Sequence, residues 1–285
     1  MSKLGIGIDF GTSNSAAAVF DGERLQLVRL EQDEDIIPSA TYIDRSLTAQ
    51  TGQQAVRQYI ADNTGRTVEL IPEVVGETSQ FVEGGGGEEV AEVDTATQKI
   101  YGAPITDSGM QGRLFRGTKR LLGDESVRRL MVFDQPFRLV ALITPLLLRI
   151  RKSIEQRVGA VNAAHLGYPV NFEGRDQFAN DLALNRLGEA FNYAGIKTQD
   201  FFPEPIAAAV SYLHSNPNAE GELLLTLDFG GGTLDFCVLR RQGQDFEVVA
   251  THGIGLGGDH LDQLLFRKLL FPHLGKGQVW RRRGF

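Results

Sequence analysis

The sequence predicts an α/β protein of two related lobes, in which helices cover the faces of a sheet. The first observation is the order of segments: strands, an inserted region, helices alternating with strands, then strands again. Such alternation is typical of a sheet covered by helices. The second observation is a repeat, because residues 7–15 (GIDFGTSNS) recur in altered form as residues 226–235 (TLDFGGGTLD).

Each copy of the repeat predicts two strands joined by a tight glycine turn. An aspartate, Asp9 or Asp228, lies at the end of the first strand, and residues with hydroxyl groups follow the glycines. Strand-end carboxylates, exposed backbone N–H groups and hydroxyls suit a phosphate and its metal ion. One such turn alone is usually only a hairpin, so the pairing of two turns is the informative feature.

The segments before the first long helix are short. Residues 4–30 alternate enough to predict two or three strands, residues 36–43 predict another, and residues 53–62 have helical spacing. Residues 113–122 and 126–133 predict two short helices.

Residues 63 to about 112 differ in character. Between Glu69 and Asp94 there are eight acids and neither Lys nor Arg, and Gly84–Gly87 is an uninterrupted glycine run. Such a run holds a regular element only at a cost in conformational entropy. We expect a mobile acidic surface insertion or a loose hairpin, and a role as an acidic interaction loop stays open.

The remaining segments alternate between helix and strand. Residues 140–158 predict a long helix whose apolar face includes Ile143, Leu147 and Ile150. The elements predicted after it are a strand at 163–170, a helix at 175–194, a short strand at 196–202, a helix at 206–214, the second glycine hairpin from Leu223, a strand at 248–253 and a helix at 259–270.

Composition excludes several classes of protein. The 285 residues carry a net charge of −7 and a pI near 5.3, which argues against a broad nucleic-acid surface. The apolar stretch 139–150 is too short to span a membrane, so we expect a buried helix. Cys237 is the single cysteine, which fits a reducing compartment and a buried apolar role. Because Met1 leads directly into a strand, we expect no targeting segment and a cytoplasmic protein.

Motifs in a fixed order resemble those of the DnaK-type heat-shock chaperone family. Residues 7–15 resemble its first phosphate motif and residues 228–235 its second. The resemblance extends over roughly residues 4–265, and the other matching segments are the lysine motif at 119–123 (KRLLG), the connecting motif at 203–209 (PEPIAAA) and the hinge at 256–262 (LGGDHLD). The acidic insertion before Lys119 is similar to the YegD-type branch.

The resemblance implies the actin-like ATPase fold, with two RNase H-like lobes and an inserted subdomain in lobe I. We expect lobe I over residues 1–220, with the inserted subdomain at about 36–134, and a partial lobe II over 221–285. We expect a chain without the family's further subdomain, which carries a late glycine motif for adenosine, and without its peptide-binding domain. If the second lobe is truncated in this way, residues 255–285 should expose apolar surface.

The resemblance also implies the site. Asp9 and Asp228 would flank Mg²⁺ through its waters, while Glu204 and Asp235 orient water and metal. Lys119 would hold the attacking water or the γ-phosphate of ATP, and Thr233 would assist. The residues expected to contact the nucleotide are Gly11, Thr12, Ser13, Asn14, Gly230, Gly231, Gly232, Thr233, Gly257 and Gly258.

The implied function is Mg²⁺-dependent ATP binding and hydrolysis by a chaperone nucleotide-binding domain, with nucleotide, protein clients and co-chaperones as partners and neither nucleic acid nor membrane. Two alternatives remain open at this point. One is a non-catalytic scaffold or degenerate ATPase fragment that retains the fold. The other, weaker alternative is an actin-fold sugar kinase, which would need a sugar-binding constellation that the sequence does not reveal.

Overall fold

A computed structural model describes residues 4–67, 70–81, 95–107, 109–170, 172, 177–216, 223–242 and 245–277. The strands are β1 (Gly5–Phe10), β2 (Asn14–Phe20), β3 (Leu25–Leu27), β4 (Ile36–Pro38), β5 (Ala40–Asp44), β6 (Ala49–Thr51), β7 (Leu70–Phe81), β8 (Thr95–Asp107), β9 (Gly112–Arg116), β10 (Arg129–Val132), β11 (Gln135–Arg138), β12 (Ala163–Tyr168), β13 (Thr198–Pro203), β14 (Leu223–Phe229), β15 (Leu234–Gln242) and β16 (Asp245–Ile254). The α-helices are α1 (Gly52–Asn63), α2 (Leu139–Val158), α3 (Gln177–Tyr193), α4 (Glu204–Ser215) and α5 (Gly258–Leu265).

The chain divides into two compact units, residues 1–59 with 113–285, and residues 60–112. Within the smaller unit, β7 and β8 pair antiparallel. This pairing corresponds to the hairpin alternative for the acidic insertion, whereas residues 82–94, with the glycine run, lie outside the described residues. The assignment of lobes I and II to residues 1–220 and 221–285 stays a prediction.

The largest sheet of the larger unit has the strand order β13-β12-β1-β2-β3. β4 pairs with the first three residues of β2, next to the glycine turn. β1 pairs parallel with β12 and antiparallel with β2. The hairpin predicted from the first glycine turn is therefore confirmed. Its parallel neighbours end beside it, which brings the ends of β1, β12 and β13 to one edge of the sheet.

Helix α2 forms the core of this unit. Alternate residues of β1, including Ile8 and Phe10, are buried against the same cluster as Leu147, Ile150 and Phe191. The helix ends at Gly159, whose φ of 86° favours glycine. The prediction of a long buried helix here is confirmed. In the described part of the chain, no helix combines the length and apolar character that crossing a membrane requires.

A second, three-stranded sheet has the order β14-β15-β16 with antiparallel pairing. This confirms the second glycine hairpin. Helix α4 covers one face of the sheet, where Ala209, Cys237 and Leu239 are buried together. Burial of Cys237 confirms its predicted apolar role.

Four predicted segments differ from the structure. Residues 113–122 and 126–133 are not helices. Gly117, with a φ of 65°, interrupts the first, and in the second the exposed side chain of Met131 lies between the more buried Leu130 and Val132, as in a strand. They form β9, a 3₁₀ turn at Thr118–Leu121, and β10. Residues 36–43 form two strands in different sheets, β4 and β5, separated at Ser39. The helix predicted over 259–270 is α5 up to Leu265, followed by a π-helical turn at Phe266–Leu270.

The predicted exposure of apolar surface near the C-terminus is confirmed over residues 255–277. The large apolar side chains exposed there are Leu256, Leu261, Leu264, Leu265, Phe266, Leu269, Leu270, Phe271 and Leu274. Residues 278–285, with the arginine cluster, lie outside the described residues.

Candidate functional site

The two glycine turns have the same backbone design. In the first, the N–H of Gly11 donates to the carbonyl of Asn14 at 3.0 Å, and in the second the N–H of Gly230 donates to the carbonyl of Thr233 at 2.9 Å. Strand register places Asp9 opposite Ala16 and Asp228 opposite Asp235. The second turn therefore carries one more carboxylate than the first at an equivalent position.

The turns approach each other closely. A Cβ atom on Gly231 would lie 2.2 Å from the Oγ of Ser13, so a side chain larger than hydrogen would force Ser13 to move. Behind the second turn, a Cβ on Gly257 would lie 2.3 Å from the carbonyl oxygen of Gly231. Glycine is required at position 257 because backbone atoms lie against it, whereas at position 231 the nearest atoms belong to the side chains of Ser13 and Thr12.

Gly257 and Gly258 support the second turn from behind. The N–H of Gly258 donates to the carbonyl of Gly230, and the N–H of Asp259 donates to that of Gly231, both at 2.9 Å. Neither glycine lines the cavity described below. In the structure both glycines pack against the second turn. A contact of either one with nucleotide stays a prediction.

Lys119 reaches the site from the 3₁₀ turn at Thr118–Leu121, which begins after Gly117 in the left-handed region (φ 65°). Its side chain is 5% exposed, and its Nζ lies 2.5 Å from the Oε1 of Glu204. Desolvation lowers the pKa of Lys119, but the carboxylates of Glu204, Asp9 and Asp228 outweigh it and raise the pKa above its usual value. Lys119 is thus held as a buried cation among acids.

Glu204 is the first residue of α4 and lies between two prolines. Pro203 precedes the helix and Pro205 occupies its first turn, a position that suits the fixed φ of proline. The parallel pairing of β12 and β13 ends at Tyr168 and Pro203, directly before Glu204. This places the carboxylate at the same sheet edge as Asp9.

Three carboxylates therefore surround one lysine. Asp9 is open to water within the cavity, yet the surrounding protein desolvates it strongly enough to raise its pKa to about 6, despite Lys119. Desolvation also raises the pKa of Asp228, and the charge of Glu204 adds to that effect. Like charges this close disfavour ionisation of one another. With three carboxylates around one ammonium group, the cluster has an excess of negative charge.

Asp235 lies behind the second turn and is 1% exposed. Its Oδ2 accepts a hydrogen bond from the hydroxyl of Thr233 at 2.8 Å, and its Oδ1 has no hydrogen-bond partner among the described residues. Burial raises its pKa to about 6, although Thr233 and the backbone N–H of Val170 lower it. A buried carboxylate oxygen without a donor is costly unless another group meets it.

An open cavity of about 250 Å³ lies between the turns. This is smaller than a typical site for a whole drug-sized ligand and fits the phosphate end of a nucleotide better. The predicted residues that line it are Asp9, Gly11, Thr12, Ser13, Asn14, Lys119, Glu204, Asp228, Gly230, Gly231 and Thr233. Gly232, Asp235, Gly257 and Gly258 do not line it.

Sequence reasoning missed four lining residues: Arg120, Pro169, Phe172 and Phe229. Arg120 follows Lys119 directly, so its position in the lysine motif could have indicated it. Phe172 gave no local signal, because its N–H is held by the side chain of Asn180 on α3 through a contact that no spacing predicts.

The residues present fit a hydrated divalent cation. No group of three or more His, Cys, Asp and Glu side chains within the described ranges is arranged to ligate a metal directly. Mg²⁺ however keeps several of its waters and usually takes one or two carboxylates together with phosphate oxygens. Asp9 and Asp228 supply such carboxylates in a cluster with excess negative charge, and Asp235 Oδ1 lacks a donor.

Comparison with known proteins agrees with the family resemblance, although the matched residues leave out the lysine motif at 119–123. A family model described as Hsp70 protein matches residues 5–99 and 128–274. Heat shock 70 kDa protein BIP3 of Oryza sativa subsp. japonica is 28% identical over 260 residues, which cover 90% of this chain and 34% of that protein. The Chaperone protein HscA homolog of Histophilus somni (strain 2336) is 28% identical over 265 residues, which cover 92% and 37%. The chain spans about a third of the length of these curated relatives.

Proposed function

Because this chain belongs to the Hsp70 protein family, we propose that it binds ATP and ADP with Mg²⁺ and hydrolyses ATP as the nucleotide-binding unit of a chaperone. Its mixed α/β architecture agrees with the actin-like ATPase fold of the family. The observation that carries the proposal is the buried Lys119–Glu204 pair, set with Asp9 and Asp228 between two glycine turns of the same design.

The turns provide the phosphate contacts in this proposal. Backbone N–H groups and hydroxyls of Thr12, Ser13 and Thr233 line the cavity and can donate to phosphate oxygens. Such donors are fixed before the ligand arrives, since each turn is closed by its own backbone hydrogen bond. Preorganised donors stabilise developing negative charge without reorganisation during the reaction.

Lys119 and Glu204 position the reacting groups. Phosphoryl transfer to water depends on positioning and charge stabilisation more than on covalent catalysis. Lys119 would hold the water or the terminal phosphate at its Nζ, while Glu204 fixes Lys119 and accepts a hydrogen bond from water. Asp9 and Asp228 would hold Mg²⁺ through its waters, with Asp235 orienting them. When bound, Mg²⁺ would neutralise charge on the β- and γ-phosphates.

The proposal also includes protein partners and a cellular location. Protein clients or co-chaperones are proposed from family membership alone. A cytoplasmic location is proposed because the single cysteine is buried and unpaired, which suits a reducing compartment.

Thermal unfolding of the 285-residue chain with Mg-ADP tests the proposal. A ligand at ~100 times its Kd adds roughly 2.7 kcal/mol of stability when it binds only the folded state. We expect a clear rise in Tm with Mg-ADP and a smaller rise with ADP and EDTA. Single-turnover release of labelled phosphate from ATP then measures hydrolysis directly.

Two matched variants give this test its control. Asp228→Asn should remove the difference between Mg-ADP and ADP with EDTA, because one metal-facing carboxylate is lost. Asp200→Asn changes an exposed aspartate on β13, outside the cavity, and should respond as wild type. A folded chain with no Tm shift at millimolar Mg-ADP would contradict the proposal.

A non-catalytic scaffold is the second candidate. The observation that favours it is the apolar surface exposed over residues 255–277, which suits protein association more than catalysis. A Tm shift with Mg-ADP, combined with no phosphate release in single-turnover conditions, would select this candidate.

A further inference from the structure

The turn that carries Lys119 is short and needs outside support. Thr118–Leu121 is a four-residue 3₁₀ turn, and in the loop after it the N–H groups of Asp124 and Val127 donate single i→i+3 bonds to the carbonyls of Leu121 and Asp124, at 3.1 and 3.2 Å. Turns of this kind have poor hydrogen-bond geometry and leave terminal carbonyls unpaired. A contact from another element is therefore needed to hold the backbone that carries the side chain of Lys119.

One guanidinium on α3 provides that support. The Nη1 of Arg186 donates to the carbonyls of Leu121 at 3.3 Å, Leu122 at 2.9 Å and Asp124 at 2.9 Å, and its Nη2 donates to that of Val127 at 3.0 Å. All of the hydrogen bonds found for Arg186 in the described ranges go to this one segment. Arginine alone offers enough donors in a planar fork to satisfy several carbonyls at once.

The same segment packs directly on α3. A Cβ on Gly123 would lie 2.9 Å from the carbonyl oxygen of Ala179, so the loop backbone touches the helix. Leu122 is fully buried beside Lys119. Arg186 itself does not line the cavity, and burial lowers its pKa. Its guanidinium is therefore partly shielded from water. It binds backbone carbonyls and lies outside the cavity in which a ligand would bind.

We propose that Arg186 is a positioning residue for Lys119, which it holds among the carboxylates by fixing the backbone of residues 121–127 to α3. The inference rests on the proposed role of Lys119 in ATP hydrolysis. It adds a residue outside the site that sets where the lysine side chain begins. A displacement of about 1 Å in a reacting group can cost about 10²-fold in rate, so loss of this anchor should reduce kcat.

The test compares Arg186→Gln with Arg151→Gln in the 285-residue chain. Arg151 is a matched control, because its guanidinium also caps carbonyls of the same unit, those of Val161 at 2.9 Å and Ala194 at 3.2 Å. Neither carbonyl belongs to the segment after Lys119. Both variants lose carbonyl caps, and only the first is expected to release Lys119.

Two readouts are needed. In single-turnover ATP hydrolysis we expect Arg186→Gln to lower kcat by about 10²-fold with little change in the KM for ATP, whereas Arg151→Gln stays near wild type. The second readout is the rate at which a lysine-acylating reagent modifies Lys119, followed by peptide mass spectrometry. We expect severalfold faster modification in Arg186→Gln than in wild type or Arg151→Gln, because local opening exposes a buried amine.

The acylation readout does not depend on hydrolysis, so it separates the two proposals. If wild type hydrolyses no ATP but Arg186→Gln still exposes Lys119, the positioning inference holds and the proposed function fails. If Arg186→Gln keeps both the wild-type kcat and the wild-type protection of Lys119, the inference is overturned. Arg186→Lys, which keeps the charge without the fork, serves if the glutamine variant does not fold. Wild-type kcat and protection in that variant would equally overturn it.

Discussion

The two glycine turns share one backbone design but rest on very different supports. Behind the first turn, β1 and β2 bury alternate residues against α2 in the largest core of the protein. Behind the second, β14 alternates exposed and half-buried residues, and the bare face presents Leu223, Leu225 and Leu227 at 57–61% exposure. Turn geometry is therefore set locally, by a glycine and one backbone hydrogen bond. Core packing determines how firmly each turn is held.

The largest expected effect concerns the residue that serves both turns. Lys119→Met keeps the length of the side chain and removes its charge, which leaves Glu204 buried without its partner. We expect single-turnover ATP hydrolysis to fall ~10²–10³-fold, as for the loss of one key electrostatic group. Lys197→Met is the control, since Lys197 caps a carbonyl at the end of α3 at 2.7 Å and is exposed. Equal rates in the two variants would refute the role of Lys119.

The next effect tests the difference in support directly, with one substitution made in both halves. Leu147→Ala opens a cavity in the fully buried face of α2 and should lower the free energy of unfolding by about 3 kcal/mol. Leu227→Ala, at 61% exposure on β14, should change it by less than about 0.5 kcal/mol. Urea unfolding measures both. Equal costs would mean that the open face of β14 is covered in solution.

The third effect concerns the carboxylate that the second turn has and the first lacks. Burial raises the pKa of Asp235 to about 6 from an ordinary 3.8. The folded protein therefore binds a proton on Asp235 more tightly than the unfolded chain does. The free energy of unfolding that this binding contributes is lost as the pH rises through 6. One pH unit below a pKa corresponds to ~1.36 kcal/mol. Between pH 5 and pH 8, the free energy of unfolding of wild type should thus fall by about 1.4 kcal/mol relative to that of Asp235→Asn.

Stability curves at several pH values check this sign. Asp44→Asn is the control, because the hydroxyl of Ser46 and nearby backbone N–H groups lower the pKa of Asp44. Its titration lies below this window, and the difference from wild type should be flat between pH 5 and pH 8. A flat difference for Asp235→Asn as well would show that Asp235 stays ionised throughout.

The smallest effect is expected at the ion pair between Arg120 and Asp259. Their Nη1 and Oδ2 atoms lie 3.5 Å apart, and both side chains are about a third exposed. Such pairs contribute ~0–1 kcal/mol and weaken with salt. A double-mutant cycle with Arg120→Gln and Asp259→Asn should give a coupling below ~1 kcal/mol that declines in 1 M NaCl. A coupling that persists in salt would mark a firmer link between the 3₁₀ turn and α5.

The sequence predicted most of the fold where periodicity or glycine geometry is local. Helix α2 and both hairpins were predicted because an apolar stripe or a glycine turn encodes them over a few residues. The segment 113–133 was mispredicted, since β9 pairs with β5, far earlier in the chain, and β10 is defined by its hairpin with β11, which lies beyond the predicted segment. Propensity within one segment carries no information about such partners.

The same division holds for the site. Asp9, Lys119, Glu204 and Asp228 line one cavity as the motifs suggested, although their roles stay predictions. Arg186 could not be predicted, because it binds carbonyls of a segment far earlier in the chain. Phe172 could not be predicted either, because the hydrogen bond from its N–H to the side chain of Asn180 follows no known spacing. Side chains that hold other side chains in place leave no fixed spacing in a sequence.

Helix α4 joins the two supports mechanically. Its first residue is Glu204, and its body lies on β14 and β15 while its start contacts β12 and β13. A helix is stiff along its axis, so a tilt at one end of α4 displaces its other end. Any rotation of the three-stranded sheet against the larger one would move Glu204 relative to the ammonium group of Lys119, which lies 2.5 Å away on a separate element. The distance between Glu204 and Lys119 in the cavity between the turns would thereby depend on the angle between the two sheets.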